Sequence, residues 1–182
     1  STNLMQVAHN YEERGMRVLL IKPSTDKKGG DKLVSRLGVE RKVDLLINDE
    51  QNLYEEIKRW KETKYNIDCI LVDEVQFLKS HQIDELFEIA VVLDIPVICY
   101  GLRTDFKMQG FEGSIRLLLL AHSIEELKTI CKCGRKAVLN GRKVNGKFVF
   151  EGEQVAIDNI DNVEYESLCG HCYFKYKNKS KG

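Results

Sequence analysis

Apolar positions along the first two thirds of the chain alternate between two periods. Leu4, Val7, Ala8 and Tyr11 share one helical face, with Gly15 placed to stop the helix. The continuous apolar run Val18-Leu19-Leu20-Ile21, closed by Pro23, predicts a buried strand. Leu53, Ile57 and Trp60 return to the helical spacing, residues 69–72 form a second strand-like run, and Ile83, Leu86, Phe87, Ala90 and Val91 mark another helix before a strand at 97–100. Such alternation predicts an α/β fold with a parallel sheet flanked by helices over residues 1–129. Residues 24–38 are polar, contain glycine and show no period, which predicts a long surface loop. The segment 115–120 is apolar nearly all round, with Arg116 its only charge, so it either lies buried in one subunit or shares its faces between the sheet and a second copy.

Beyond about residue 130 the pattern changes. Asn145-Gly146 between Arg142-Lys143-Val144 and Lys147-Phe148-Val149-Phe150 predicts a hairpin. Two close cysteine pairs flank it, Cys131 with Cys133 and Cys169 with Cys172. Four thiolates from two knuckles suit tetrahedral Zn2+ in a closed structural site. His171 lies inside the second knuckle and adds no spacing of its own. Cys69 and Cys99 fall in predicted strands and read as small buried hydrophobes. A segment this short is expected to have little core, so the metal would hold it folded. The expected division is therefore 1–129, a zinc-binding domain at 130–176, and a lysine-rich disordered end at 177–182.

With 182 residues the chain can bury a substantial core, and its 28 basic and 28 acidic residues cancel, which argues against general binding to nucleic acid or to a membrane. No apolar run approaches the length of a membrane span and no secretory leader opens the sequence, so a reducing cytoplasm is expected, with cysteines serving metal or packing.

The candidate chemistry centres on Ile70-Leu71-Val72-Asp73-Glu74-Val75-Gln76-Phe77. Open parallel sheets bind ligands at the carboxyl ends of their strands, where this pair of acids falls. In phosphoryl transfer one acid there holds Mg2+ and a neighbour takes the proton of an attacking hydroxyl; a strand that merely ends in solvent also carries acids. Ser1-Thr2 opens the first helix, where a hydroxyl either ligates Mg2+ as the last position of a phosphate-binding loop or simply caps the helix.

The ordered set Ser1-Thr2, Asn10-Tyr11-Glu12-Glu13-Arg14-Gly15, Ser35-Arg36-Leu37-Gly38, Asp73-Glu74-Val75-Gln76-Phe77, Tyr100-Gly101-Leu102-Arg103-Thr104-Asp105-Phe106 and Cys131-Lys132-Cys133-Gly134 resembles the cellular-type (type II) thymidine kinases, above all the bacterial members. The resemblance runs along essentially the whole chain. It implies a P-loop-type parallel sheet with a small zinc domain carrying a lasso loop, Mg2+ with ATP, structural Zn2+, and transfer of phosphate to the 5′-hydroxyl of thymidine or deoxyuridine in nucleotide salvage. Matched residue by residue, it implies Ser1, Asp26 and Asp73 as magnesium ligands and Glu74 as general base. Ser1, Thr2, Lys27, Asp73, Glu74, Val75 and Gln76 would line the phosphates, and Phe77, Leu102, Phe106, Phe111 and Tyr165 the base; Phe111 reads equally well as core. It also implies a cytoplasmic homotetramer. Three positions depart from the family pattern: Lys27 replaces an arginine and gives up bidentate clamping, Asp158-Asn159 replaces Gly-Gly in the lasso, and the phosphate-loop glycines and lysine are not among the residues. The chain as written is therefore not expected to bind ATP normally. A helicase-like ATPase predicts basic surface clusters that the balanced charge does not offer, and a non-catalytic zinc-ribbon module leaves Glu74 and the aromatic positions without a role.

Overall fold

The computed structural model describes residues 2–24, 32–34 (backbone only), 40–63, 66–155 and 162–180. Ser1, Asp26, Lys27, the 35–38 motif and Asp158-Asn159 lie outside the described residues. In chain order the elements are α1 (Thr2–Glu12), β1 (Val18–Pro23), β2 (Lys32–Val34), β3 (Glu40–Lys42), β4 (Leu45–Ile47), α2 (Leu53–Thr63), β5 (Cys69–Val72), the single 3-10 turn Val75–Phe77, α3 (Ser80–Val92), β6 (Val97–Cys99), α4 (Glu112–Leu120), β7 (Thr129–Ile130), β8 (Lys136–Ala137), β9 (Leu139–Val144), β10 (Lys147–Val149), β11 (Val163–Leu168) and α5 (Gly170–Lys179).

The chain divides into two compact units, Ser1–Leu102 with Glu112–His122, and Arg103–Phe111 with Ser123–Gly182. The first holds a parallel sheet ordered β4-β1-β5-β6. Every residue of β5 is buried, as are all but the first of β1, so both faces of these central strands are covered. On one face Leu19, Ile21, Ile70 and Val72 meet Leu53 and Ile57 of α2 and Ile83, Leu86 and Ile89 of α3. On the other, Leu20, Cys69 and Leu71 meet Leu4 and Ala8 of α1. Burying each large aliphatic side chain stabilises by about 1.5–3 kcal/mol, and this two-sided core is why the strands read as unbroken apolar runs. Burial also pushes the Cys69 thiol up and the Cys99 thiol up to about 12, consistent with packing residues rather than reactive ones.

Several details differ from the expectations. α3 buries Gln82, Ile83, Leu86 and Ile89, while Phe87 and Val91 are exposed. The buried Gln82 amide earns its place by hydrogen bonding: it donates to the carbonyls of Asn48 (2.8 Å) and Gln51 (3.1 Å). The interval expected as a plain loop contains β2, which pairs antiparallel with β3.

In the second unit β9 is central, flanked by β10 and β11, all antiparallel. Asn145 (φ 49°) and Gly146 (φ 76°) both adopt the left-handed region that the two-residue hairpin turn demands. This unit has a core of its own, contrary to the expectation of little: Tyr173 is wholly buried, Phe150 meets it edge-on at 5.2 Å, and Phe148 stacks on Tyr176 at 4.3 Å. α5 continues through Lys179, so the first half of the segment expected to be disordered from 177 is helical. The segment Arg103–Phe111, placed with the first domain on sequence pattern, groups with the second unit.

Candidate active site and metal centre

All four strands of the β4-β1-β5-β6 sheet run parallel, so Ser24, Asn48, Asp73 and Tyr100 follow their carboxyl ends along one edge. β5 fixes Asp73 there: its backbone N–H donates to the Ile21 carbonyl (3.0 Å), and the residue is 4% exposed. Glu74 then turns the chain with φ 52° and ψ 38°, a left-handed conformation uncommon for a residue with a side chain. The 3-10 turn follows at once, anchored by the Val75 N–H on the Tyr100 carbonyl (3.0 Å). Gln76 is 3% exposed, and its side-chain amide donates to the Glu74 carboxylate through a short hydrogen bond. Its carbonyl oxygen accepts the Leu102 N–H (3.3 Å). The buried amide thus ties the Glu74 side chain to the end of β6.

Two glycines let these parts approach. A Cβ on Gly101 would lie 2.7 Å from the side-chain oxygen Oε1 of Gln76 and 2.8 Å from Val75 Cγ1. One on Gly113, in the first turn of α4, would lie 2.5 Å from the Val75 carbonyl oxygen and 2.7 Å from that of Leu78. Lys22, 2% exposed beside Pro23 at the same edge, was not singled out in the sequence; a lone lysine ending an apolar strand was its only signal. Thr2 begins α1, and because α1 enters β1 through a tight turn and packs back along the sheet, its first turn lies toward the carboxyl edge. A concavity of about 460 Å³ bounded by Arg17, Val18, Asp44 and Trp60 opens at the amino ends of the strands, the opposite edge from Asp73.

The expected nucleoside residues are divided between the units. Phe77, half-buried, and Leu102, 44% exposed, belong to the first, linked through Gln76. Phe106, Phe111 and Tyr165 belong to the second. Phe106 and Phe111 are buried, Phe106 with the Arg142 guanidinium 3.8 Å over its ring. Arg142 also reaches Tyr165, its Nε donating to the phenol oxygen (3.0 Å). Asp105, 4% exposed, accepts the backbone N–H groups of Lys107 (2.8 Å) and Gln109 (2.9 Å), folding the 105–109 turn. Asp105 entered the sequence reading only as part of the Tyr100–Phe106 motif, with no role, and Arg142 escaped it because nothing in Gly141-Arg142-Lys143-Val144 separates a buried arginine from a surface lysine.

The metal centre forms where two turns meet within the second unit. β7 and β8 pair across Cys131-Lys132-Cys133-Gly134, whose turn closes with the Gly134 N–H on the Cys131 carbonyl (2.8 Å) and uses φ 87° at Gly134. β11 delivers Cys169 as the N-cap of α5, its sulfur accepting the Cys172 N–H (3.4 Å). The four sulfurs lie within 4.8 Å of one another, with Cys133 and Cys169 at 3.5 Å. Four thiolates at about 2.3 Å from one ion would sit about 3.8 Å apart, so the donor set fits Zn2+. The Arg135 backbone N–H, with the Cys169 thiol, lowers the Cys133 thiol to about 6. Cys172 is pushed up to about 12, chiefly by its hydrogen bond with Cys133. Sulfurs this close cannot all be anionic without a cation among them, and a dication resolves that conflict. Among the described residues no helix is long and apolar enough to cross a membrane.

The thymidine kinase family profile matches residues 1–173. A thymidine kinase of Mannheimia succiniciproducens is 46% identical over 182 residues, covering 97% of this chain and 89% of that protein. The thymidine kinase of Enterobacteria phage T4 is 43% identical, covering 93% and 86%, and that of Streptococcus gordonii 43%, covering 94% and 88%.

Proposed function

The chain belongs to the thymidine kinase family, and from that premise we propose that it transfers the γ-phosphoryl group of ATP to the 5′-hydroxyl of thymidine or deoxyuridine, with Glu74 as general base. The observation that carries this reading is the pair of successive carboxylates at the carboxyl end of β5, split by the left-handed turn at Glu74. Asp73, and in the family pattern Ser1 and Asp26, would hold Mg2+, which when bound with ATP neutralises charge on the transferring phosphoryl group. A carboxylate on a dication is a poor base, so the division of labour assigns the proton to Glu74. Glu74 takes that proton as the 5′-oxygen forms its bond to phosphorus and the bond to ADP breaks. Gln76 orients Glu74 by its short hydrogen bond, and Val75 supplies packing, since its N–H is already bound to Tyr100. Thr2 at the start of α1 and, in the family pattern, Lys27 would face phosphates. In the family pattern Phe77, Leu102, Phe106, Phe111 and Tyr165 are the positions that serve the base, the buried Phe106 and Phe111 by packing behind it.

Cys131, Cys133, Cys169 and Cys172 would hold a structural Zn2+, leaving no open position for catalysis. A homotetramer in the cytoplasm completes the reading; it is supported by the apolar side of α4, where Ile115, Leu118 and Leu119 are 53%, 44% and 71% exposed. In an enzyme with a phosphate loop ahead of residue 1, Glu74→Gln is expected to lower kcat by about 10²-fold or more, with thymidine affinity little changed. Turnover within a few-fold of the parent removes Glu74 from the role.

A further inference from the structure

Arg142 occupies the middle of the central strand β9, opposite Val149 of β10 and Tyr165 of β11, and is 5% exposed. Burying a guanidinium costs several kcal/mol unless its hydrogen bonds and charge are satisfied, and an aliphatic residue would serve packing alone better. Here every arm of the fork is used. Nη1 donates to the Glu153 carbonyl (2.7 Å), Nη2 to the Gln154 carbonyl (2.7 Å) and Nε to the Tyr165 phenol oxygen (3.0 Å). The flat of the cation lies 3.8 Å above the Phe106 ring. One side chain therefore fixes three separate stretches: the ring at 106, the main chain at 153–154, and the phenol on β11.

Two further links join the same stretches. The Gln154 side-chain amide donates to Asp105 Oδ2 (3.1 Å) and to the Gly110 carbonyl (3.3 Å), and Lys107 Nζ donates to the Gly152 carbonyl (2.8 Å). The Phe106 carbonyl is in turn held by the buried Tyr173 hydroxyl (2.7 Å).

We propose that Arg142 is a positioning residue for the nucleoside: it locks the 151–155 segment, the Phe106 ring and Tyr165 into one preformed wall, so that base binding does not bear the entropy of ordering them. The proposal rests on the reading that Phe106 and Tyr165 face the base. It predicts an effect on nucleoside capture and none on the chemical step, because the guanidinium acts through groups remote from Asp73 and Glu74 in the sequence and is satisfied by protein acceptors. Lysine cannot replace it, since a single ammonium lacks the fork that spans two carbonyls and a phenol.

The test uses the enzyme with its phosphate loop and follows Arg142→Met, Arg142→Lys and Phe106→Leu by steady-state kinetics, zinc content and hydrogen exchange. Arg142→Met is expected to raise the thymidine KM by about tenfold while kcat and the ATP KM stay within a few-fold. It is also expected to speed exchange over 151–155 without changing β1, β5 or the zinc content, and Arg142→Lys should recover only part of the loss. A fall in kcat at unchanged thymidine KM overturns the proposal, as does exchange over 151–155 equal to that of the parent. Faster exchange with an unchanged thymidine KM leaves the latch but overturns its role toward nucleoside. Phe106→Leu separates the two readings: if it raises the thymidine KM while Arg142→Met does not, the base reading stands and Arg142 falls; if both are silent, the base reading falls with it.

Discussion

At the scale of single residues the candidate active edge depends on close approach as much as on charge. Gly113 sits against the carbonyl oxygens of Val75 and Leu78, backbone atoms that cannot swing aside. Gly113→Ala would favour the helix locally, yet the added methyl must push α4 off the turn that carries Val75–Phe77. The expected result is a net loss of about 1–3 kcal/mol, as for overpacking in a tight core, measured by urea unfolding. An unchanged or raised midpoint would show that the turn yields freely. Glu74 illustrates the opposite limit: its left-handed backbone is tolerated because the Ile21 and Tyr100 carbonyls hold the N–H groups of Asp73 and Val75 on either side. The acid pair and the cysteines were legible in the sequence because their residue types are unusual in their settings. Lys22, Asp105 and Arg142 were not, because burial alone distinguishes them from surface charges.

At the scale of elements, α3 and α4 are joined through their starts. The Glu112 carboxylate, in the first turn of α4, accepts the Ser80 backbone N–H (2.8 Å) at the start of α3. That bond, ahead of the nearby Lys79, lowers its pKa below the ordinary 4.5. A carboxylate whose folded pKa is depressed stabilises above its unfolded value and loses that contribution as pH falls through the folded one. The parent should thus lose stability relative to Glu112→Gln as pH drops from about 5 toward 3. At neutral pH the substitution should cost about 0.5 kcal/mol, the low end for a helix cap because the side chain is half-exposed. Parallel pH profiles for the two proteins would refute the cap. Helix faces were read less well than helix positions. In α3 the period admits Phe87 and Val91 as readily as Ile89, and only the neighbouring strands and α2 select which side is covered.

At the scale of the whole molecule two dependences are expected. Elemental analysis should find one Zn2+ per chain, and Cys169→Ser should loosen residues 129–137 and 163–180 while the parallel sheet stays protected from exchange, because each unit has a separate core. Metal-free protein with an ordered second unit would contradict the site. The aromatic core around Tyr173 limits the damage, so partial loosening rather than unfolding is the expected readout. Assembly has its own test. Leu119 is 71% exposed, so Leu119→Asp should leave the fold of a subunit intact while light scattering reports a smaller particle than the parent. A parent that is monomeric at micromolar concentration would dispose of the tetramer outright.

The sequence by itself determined the order and type of the main elements, the parallel sheet, the hairpin at Asn145-Gly146 and the pairing of the two cysteine knuckles. These are written locally: a strand buried on both faces must be apolar throughout, a primed turn needs residues that accept positive φ, and a metal needs ligands of the right kind at short spacing. Through its motifs it also pointed to the family. The tertiary structure decided the rest. It set which face of α3 is covered, gave the second unit an aromatic core, assigned residues 103–111 to that unit, and brought Arg142 onto Phe106 across a long stretch of chain. Such contacts join residues far apart in sequence, and their energies depend on burial and on a partner's geometry, neither of which any local pattern encodes.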